Sequence, residues 1–331
     1  MKNVSCFFLF LFLLGGPFSI SSLQAQVDST ILSGDRFYDL SLEQLMNIPV
    51  DVSSKSAVNI RENPGIVTVI KQEEMLRAGA RDLADVLTLF VPGIAFGVDV
   101  EGVVGGGFRG IWGNEGKVLL LIEGQEANEE LFATLQLGCH YPIDMIDRVE
   151  VIRGPGSAMY GGYASLAVIN VTTLDDGRKA GSNGAFLSSL SRNAATHNDF
   201  SFGVTQPFTD GLVSLRATQA YGTRATRTWT DASGLQVKLA DRSSIEAGNY
   251  SLRIVYKGFT IKGMLDSYGL QTATLYGVAV NNAKTYSQQF DSYFGEASYT
   301  YAVNSALKIT PKLQYKQQYP WQLKVPTLGY Y

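Results

Sequence analysis

The chain has 331 residues, 45% of them apolar and only 17% charged, with 27 basic and 30 acidic side chains for a net charge of −3. That balance excludes a disordered tail and gives no electrostatic reason to expect nucleic acid as a partner. Two cysteines exclude a disulfide-rich scaffold and any four-cysteine zinc site.

Residues 1–25 read as an export signal. Lys2 precedes the apolar run Cys6–Leu14, Gly15-Gly16-Pro17 interrupts it, and Leu23-Gln24-Ala25 ends on a small residue suited to cleavage. The run is far shorter than the roughly 20 residues that span a bilayer. Cleavage would remove Cys6 and leave Cys139 alone. Residues 26–59 are polar and weakly patterned, a tether with one short amphipathic stretch, Leu40–Ile48. Ile66–Ile70 is β-branched and predicts a strand. Gln72–Phe90 predicts a helix interrupted at Gly79, its apolar face made by Met75, Leu76, Leu83, Val86, Leu87 and Phe90, and Pro92-Gly93 stops it. Val118–Ile122 (VLLLI) predicts a fully buried strand ending at Glu123-Gly124. Val149–Ile152 and Ala167–Thr172 predict two more. Residues 60–178 therefore form a small α+β domain, with Val67, Val69, Leu83, Leu87, Leu119, Leu121, Val149, Val151 and Ile169 in its core.

From residue 179 to 331 the pattern becomes strict alternation. Val213, Leu215, Ala217 and Tyr221 oppose Ser214, Arg216 and Thr218. Tyr250, Leu252, Ile254 and Tyr256 oppose Asn249, Ser251 and Arg253. Phe259, Ile261 and Leu265 oppose Thr260, Lys262 and Asp266. Two-faced strands suit a soluble sandwich or a membrane barrel. Short turns at Pro207–Gly211, Lys257-Gly258 and Ala302–Asn304 alternate with long polar links at 223–246 and 269–286, as in an outer-membrane barrel. Trp229, Tyr268, Tyr319 and Trp321 near strand ends suit an interfacial belt. The runs begin at Phe186, Phe200, Val213, Asn249, Phe259, Ser292 and Ala306, giving about seven antiparallel transmembrane strands. Seven strands cannot enclose a folded domain of this size, because a filled lumen goes with about 22. The expectation is an incomplete barrel, from a fragment of a longer chain or a truncated product.

Catalytic chemistry is absent from the pattern, and an enzyme is not expected. Gly105-Gly106-Gly107-Phe108-Arg109-Gly110 matches a dinucleotide fingerprint in form, but no helix opening follows to receive a phosphate. His140 and His197 stand far apart with no metal-binding spacing, and Cys139-His140 alone does not make a site. No cofactor and no metal are expected.

Several stretches do resemble one family. Phe108-Arg109-Gly110 with Lys117–Gly124, then Ile146–Gly161 (IDRVEVIRGPGSAMYG) and Val168–Val171 (VINV), resemble the plug of TonB-dependent outer-membrane receptors. Asn63–Ile70 through Val91-Pro92-Gly93 fits the same order, so the resemblance covers about residues 48–175. One departure is Ala164–Ala167, where many members carry glycine.

The resemblance implies a receptor in the cell outer membrane for active uptake of a scarce large solute such as a siderophore or cobalamin. Its implied partners are the external solute, outer-membrane lipid and the inner-membrane TonB complex. Ile48-Pro49-Val50-Asp51-Val52-Ser53-Ser54 looks like the TonB-contacting segment: it is β-prone and follows a flexible tether, suited to adding a strand to a partner sheet. Arg109, Glu150 and Arg153 would be charges that lock the plug to the barrel. Topology puts the solute contacts on plug loops 97–107 and 127–141, facing the long barrel links. Asp99, Glu101, Phe108, Trp112 and His140 are the groups there able to bind by charge, stacking or coordination. The alternative functional class is a plug-like binding or signalling module that acts with a partner chain and transports nothing. A secreted β-rich adhesin is a weaker third.

Overall fold

Strand β1 (Ile66–Lys71) is followed by two short helices, α1 (Gln72–Arg77) and α2 (Leu83–Phe90). The computed structural model describes residues 49–50, 58–59 and 66–330, apart from 100–101, 114–115, 155–159, 161, 163, 175–180, 191–194, 224–225, 231–233, 235, 273–285, 305–306 and 326–328. The export signal, most of the tether and Leu40–Ile48 lie outside the described residues. Pro49–Val50 pairs antiparallel with Val58–Asn59.

The helical period divides where the sequence places Gly79. That residue takes φ 71°, a left-handed conformation open to glycine and costly for other residues. Glu74 accepts from the Lys71 amide at 2.8 Å to start α1, and Asp82 accepts from the Asp85 amide at 3.0 Å to start α2. A glycine-rich hairpin, β2 (Ile94–Val98) and β3 (Val104–Phe108), then carries the two-residue β4 (Ile111–Trp112). Next come β5 (Val118–Ile122), β6 (Gln125–Glu126), β7 (Ile146–Arg153) and β8 (Ala167–Thr173).

These strands make a sheet in the order β1-β7-β8-β5-β6, antiparallel except for the β8/β5 pair. One face packs Ile70, Val149, Val151, Leu120, Ile122 and Ile169 against Met75, Leu83 and Leu87. The other packs Leu119, Leu121, Ile152 and Val168 with the half-buried Val67 and Val69. Burial on both faces is why VLLLI does not alternate. The expected core residues all belong to one face or the other.

Seven long strands follow: β9 (Gly181–Leu190), β10 (Ala195–Phe208), β11 (Gly211–Thr223), β12 (Ser244–Tyr256), β13 (Phe259–Thr272), β14 (Tyr286–Tyr299) and β15 (Lys312–Val325). With the two-residue β16 (Gly329–Tyr330) they form one antiparallel sheet in sequence order, open at β9 and β16 among the described residues. Lys257 and Gly258 both take positive φ in a two-residue hairpin. The sequence begins the last long strand at Ala306, but Pro311, with no amide hydrogen, breaks it. Lys308–Ile309 pairs instead with Tyr301–Ala302, and β15 starts at Lys312. The 223–246 link carries its own hairpin, Thr228–Thr230 with Gln236–Lys238.

The sheet is inside out relative to a soluble one. Ser214, Arg216, Thr218, Asn249 and Asp266 are buried, while Val213, Tyr250, Leu252, Ile261, Leu265 and Leu313 are exposed. Strands of 13 or 14 residues exceed the roughly 9–11 that cross a bilayer at a tilt. No helix of the described residues is long and apolar enough to cross a membrane.

Candidate functional site

The polar inner face of the sheet meets the plug along a continuous boundary. Residues 127–141, the segment after β6, run along it. Asn128 ties this segment to the plug core through the Leu120 amide and the Val118 and Ala133 carbonyls. Buried Glu129 accepts from the amides of Leu131, Phe132 and Thr134 at 2.7–3.0 Å. The segment is therefore fixed and mostly buried rather than an open loop.

The expected contact residues separate. Asp99 follows β2, and its carboxylate accepts from the Val103 amide at 2.8 Å, closing the hairpin tip. Val103 packs with Ile245 and Leu270, at the strand ends that lead into the long links, so this tip lies at that end of the sheet. Glu101 lies outside the described residues. Trp112 lies across the hairpin: a Cβ on Gly97 or Gly105 would come within 3.1 Å of its ring. The glycine run is thus a strand surface for an indole, not a phosphate loop. Two assignments need correction. Phe108 is only 1% exposed and belongs to the plug core, because β3 turns it inward. His140 is equally buried, its Nε2 3.1 Å from Asp266 Oδ1 and its Nδ1 2.7 Å from the Gln136 carbonyl. Both are packed away from solvent.

The expected locking charges also lie elsewhere. Arg109 is exposed, at φ 52°, with its guanidinium 5.2 Å from the Phe108 ring centre. Glu150 is buried inside the plug sheet, bonded to Arg148 at 2.9 Å and Asn170 at 3.4 Å. Arg153 ends β7 between Ile66 and Ala167.

Other groups hold the boundary. Glu123, at the tight turn after β5, has Lys262 at 3.5 Å and Arg253 at 3.8 Å on the wall, and accepts from the Thr173 amide at 2.7 Å. Gln125 donates to Glu296 at 3.0 Å. Tyr141 donates to Asp266, which also accepts from Asn249. Tyr268 donates to the Leu137 carbonyl at 2.6 Å. Asp82 is 3.9 Å from His197, whose Nε2 is 2.9 Å from Asp199. Arg81 donates to Ser189, and Arg216 to the Asp144 carbonyl. Burial pushes the Asp82 carboxyl above its ordinary range, against two amide hydrogen bonds that pull the other way. Burial and the nearby Asp199 push Asp144 up as well. Arg216, Asn249, Arg253, Lys262 and Asp266 were readable as the polar side of their strands, whereas Tyr268, expected in an interfacial belt, is 1% exposed and turned inward to the plug. Their plug partners, Glu123, Gln125, Tyr141 and Asp82, carried no distinguishing local signal. Among the described residues no group of three or more histidine, cysteine, aspartate or glutamate side chains could hold a metal.

A folded α+β domain seated against a sheet with a polar inner and an apolar outer face is the architecture of a plug against part of a β-barrel wall. Residues 59–168 match the TonB-dependent receptor plug domain family. The chain carries that plug and, after it, strands of the barrel type found in TonB-dependent outer-membrane receptors. It is 35% identical over 150 residues to the vitamin B12 transporter BtuB of Vibrio vulnificus, covering 44% of this chain and 23% of that protein. It is 29% identical over 214 residues to the iron-regulated outer membrane virulence protein of Vibrio cholerae, covering 57% and 31%. The matched segments thus span less than a third of these relatives. The crystal structure of the ferric yersiniabactin uptake receptor FyuA from Yersinia pestis superposes with a TM-score of 0.59 at 16% identity, covering 80% of this chain and 42% of that one. That likeness is one of fold. The family's members are receptors and transporters rather than enzymes.

Proposed function

We propose that the protein is an outer-membrane receptor for energy-coupled uptake of a large solute of the siderophore or vitamin B12 kind. The observation that carries this is the reversed polarity of the long strands facing a plug whose core is built mainly from its own residues, with Met264 and Phe294 of the wall joining it. A soluble partner module needs no apolar outward face; a wall in lipid does. Residues 1–25 direct export, residues 26–59 form the tether, and Ile48–Ser54 offers a strand to the TonB complex. In that segment Pro49–Val50 already takes extended structure by pairing with Val58–Asn59. Asp99 and Trp112, at the hairpin, remain candidate solute contacts, and Glu101, outside the described residues, stays a candidate from the sequence alone. The plug is held by Glu123, Asp82, Gln125 and Tyr141 in place of the expected Arg109, Glu150 and Arg153.

The test is uptake and fractionation in cells expressing the protein, with and without TonB and with Ile48–Ser54 deleted. Recovery in the outer membrane with solute accumulation that needs both TonB and the segment is the expected result. A chain recovered wholly in the soluble periplasm would overturn the reading. Solute binding with no TonB-dependent accumulation would favour the non-transporting module.

A further inference from the structure

We propose that the plug is seated against the wall by a proton-dependent latch, in which Asp82 and Asp144 of the plug meet His197 and Asp199 of the wall. The latch sets how firmly the plug sits, whatever solute the receptor takes.

The chain has only two histidines, and both are buried where plug meets wall. His140 reaches from the plug to Asp266. His197, near the start of β10, reaches the other way: its Nε2 is 2.9 Å from Asp199 Oδ2 and its Nδ1 is 3.9 Å from Asp82 Oδ2. Each ring nitrogen thus faces a carboxylate, which a doubly protonated ring satisfies on both sides and a neutral ring on only one. His197 pairs with Gly222, where β11 leads into the 223–246 link, so the latch lies at the end of the sheet that carries the long links.

Carboxylates outnumber cations around this ring. Asp82 accepts from the Asp85 and Cys139 amides, and the Cys139 thiol lies against His197. Asp85 is taken up by Arg81 at 2.6 Å. Asp144, on the short turn Ile143–Met145, has its backbone carbonyl bonded to Arg216 at 3.4 Å, and its carboxyl faces the negative charge of Asp199 across the boundary. Asp82, Asp85, Asp144 and Asp199 therefore share Arg81, Arg216 and His197. Asp199 is only 1% exposed, and its Oδ1 has no hydrogen-bond partner among the described residues; nor has the hydroxyl of Ser201, two residues along the same inner face. A bare buried carboxylate oxygen beside a second carboxyl is costly, and a proton held between the two relieves it.

Burial raises the Asp82 carboxyl, and burial with Asp199 raises Asp144, each above its ordinary 3.8. On release into water both return toward that ordinary value, so seating takes up protons. The advantage of the seated plug is complete below the ordinary value and is lost as pH rises through the raised ones. Above them Asp144 and Asp199 confront each other as like charges, and the latch opens.

The test uses the full chain carrying Cys6→Ser, folded in lipid vesicles, with Cys139 as reporter. Protection is the rate at which dithiodipyridine labels Cys139 in the urea-unfolded chain, divided by the rate in the folded chain at the same pH. Protection should fall between about pH 4 and 9, by up to about tenfold per pH unit for each proton taken up. Asp144→Asn removes the like charge and should flatten this fall and raise protection at the alkaline end; Asp82→Asn should flatten it as well. Glu123→Gln, outside the latch, should lower protection equally at every pH. Protection that is flat or rises with pH, or a fall unchanged in both aspartate variants, would overturn the latch and leave the receptor reading standing.

Discussion

The plug and the wall are built from the same amino acids under opposite rules. In the plug, strands β5, β7 and β8 bury leucine, isoleucine and valine, and the charged exception, Glu150, is bonded to Arg148. In the wall, β11 buries Ser214, Arg216 and Thr218 and turns Val213 and Tyr221 outward. The plug is stabilised by removing apolar surface from water. In the proposed receptor the wall has lipid outside and gains from matching its polar side chains to those of the plug. The lesson is that period alone identifies a strand, whereas which of its faces is buried identifies its solvent.

The comparison can be broken first at the plug core. Leu120→Ala should cost about 2–5 kcal/mol, because Leu120 is 1% exposed and the sheet is backed by helices that cannot collapse into the gap. Chemical denaturation of the full chain reads this directly. The corresponding change on the wall is a charge: Leu252→Arg on the outward face of β12 should cost about 2–4 kcal/mol in lipid. In a soluble sheet the same exposed position would tolerate arginine, so refolding into vesicles separates the two accounts.

The boundary sharpens the comparison with smaller effects. Glu123→Gln removes the charge facing Lys262 and Arg253, and is expected to cost about 1–2 kcal/mol, since these partners are only partly buried. Its signature is earlier proteolysis of the plug with unchanged cleavage of the wall. The smallest effect concerns pH. Burial raises the Asp82 carboxyl above its usual 3.8, so the folded state holds a proton that the unfolded chain releases. Its contribution to stability therefore falls as pH rises from the unfolded value to the raised one, and is flat beyond. Asp82→Asn keeps a cap for α2 and should flatten that part of the pH–stability curve.

Much of this architecture was legible in the sequence. The VLLLI run, the break at Gly79 and the alternation of Val213–Tyr221 each report a local constraint, and each lies where the sequence put it. The site was legible by halves. Arg253, Lys262 and Asp266 announced an inward face because their strand neighbours are apolar. Glu123 did not, because a glutamate before a glycine reads the same in any turn. Phe108 and His140 misled for one reason: one follows Gly107 and the other lies two residues after Gly138, in stretches that look like loops, and only tertiary packing shows that a strand and a buried carboxylate enclose them. Trp321 was assigned to an interfacial belt, yet it packs inward against Phe290 through an irregularity that no periodicity reveals.

The register of the plug sheet has a mechanical consequence. Ile66, where the chain enters β1, faces Arg153 at the end of β7, which in turn faces Ala167 at the start of β8. Thr173, where β8 ends on the way to the wall, lies at the far end of the same strands. A pull entering at Ile66 and resisted at Thr173 therefore runs along the strands, not across them. The hydrogen bonds of β1 with β7, and of β7 with β8, are loaded together in shear instead of opening one at a time. Glu123, bonded to the Thr173 amide and facing Lys262 and Arg253, stands at the fixed end of that load path. A force along the tether would reach the charged contacts of the wall before it unzipped the sheet.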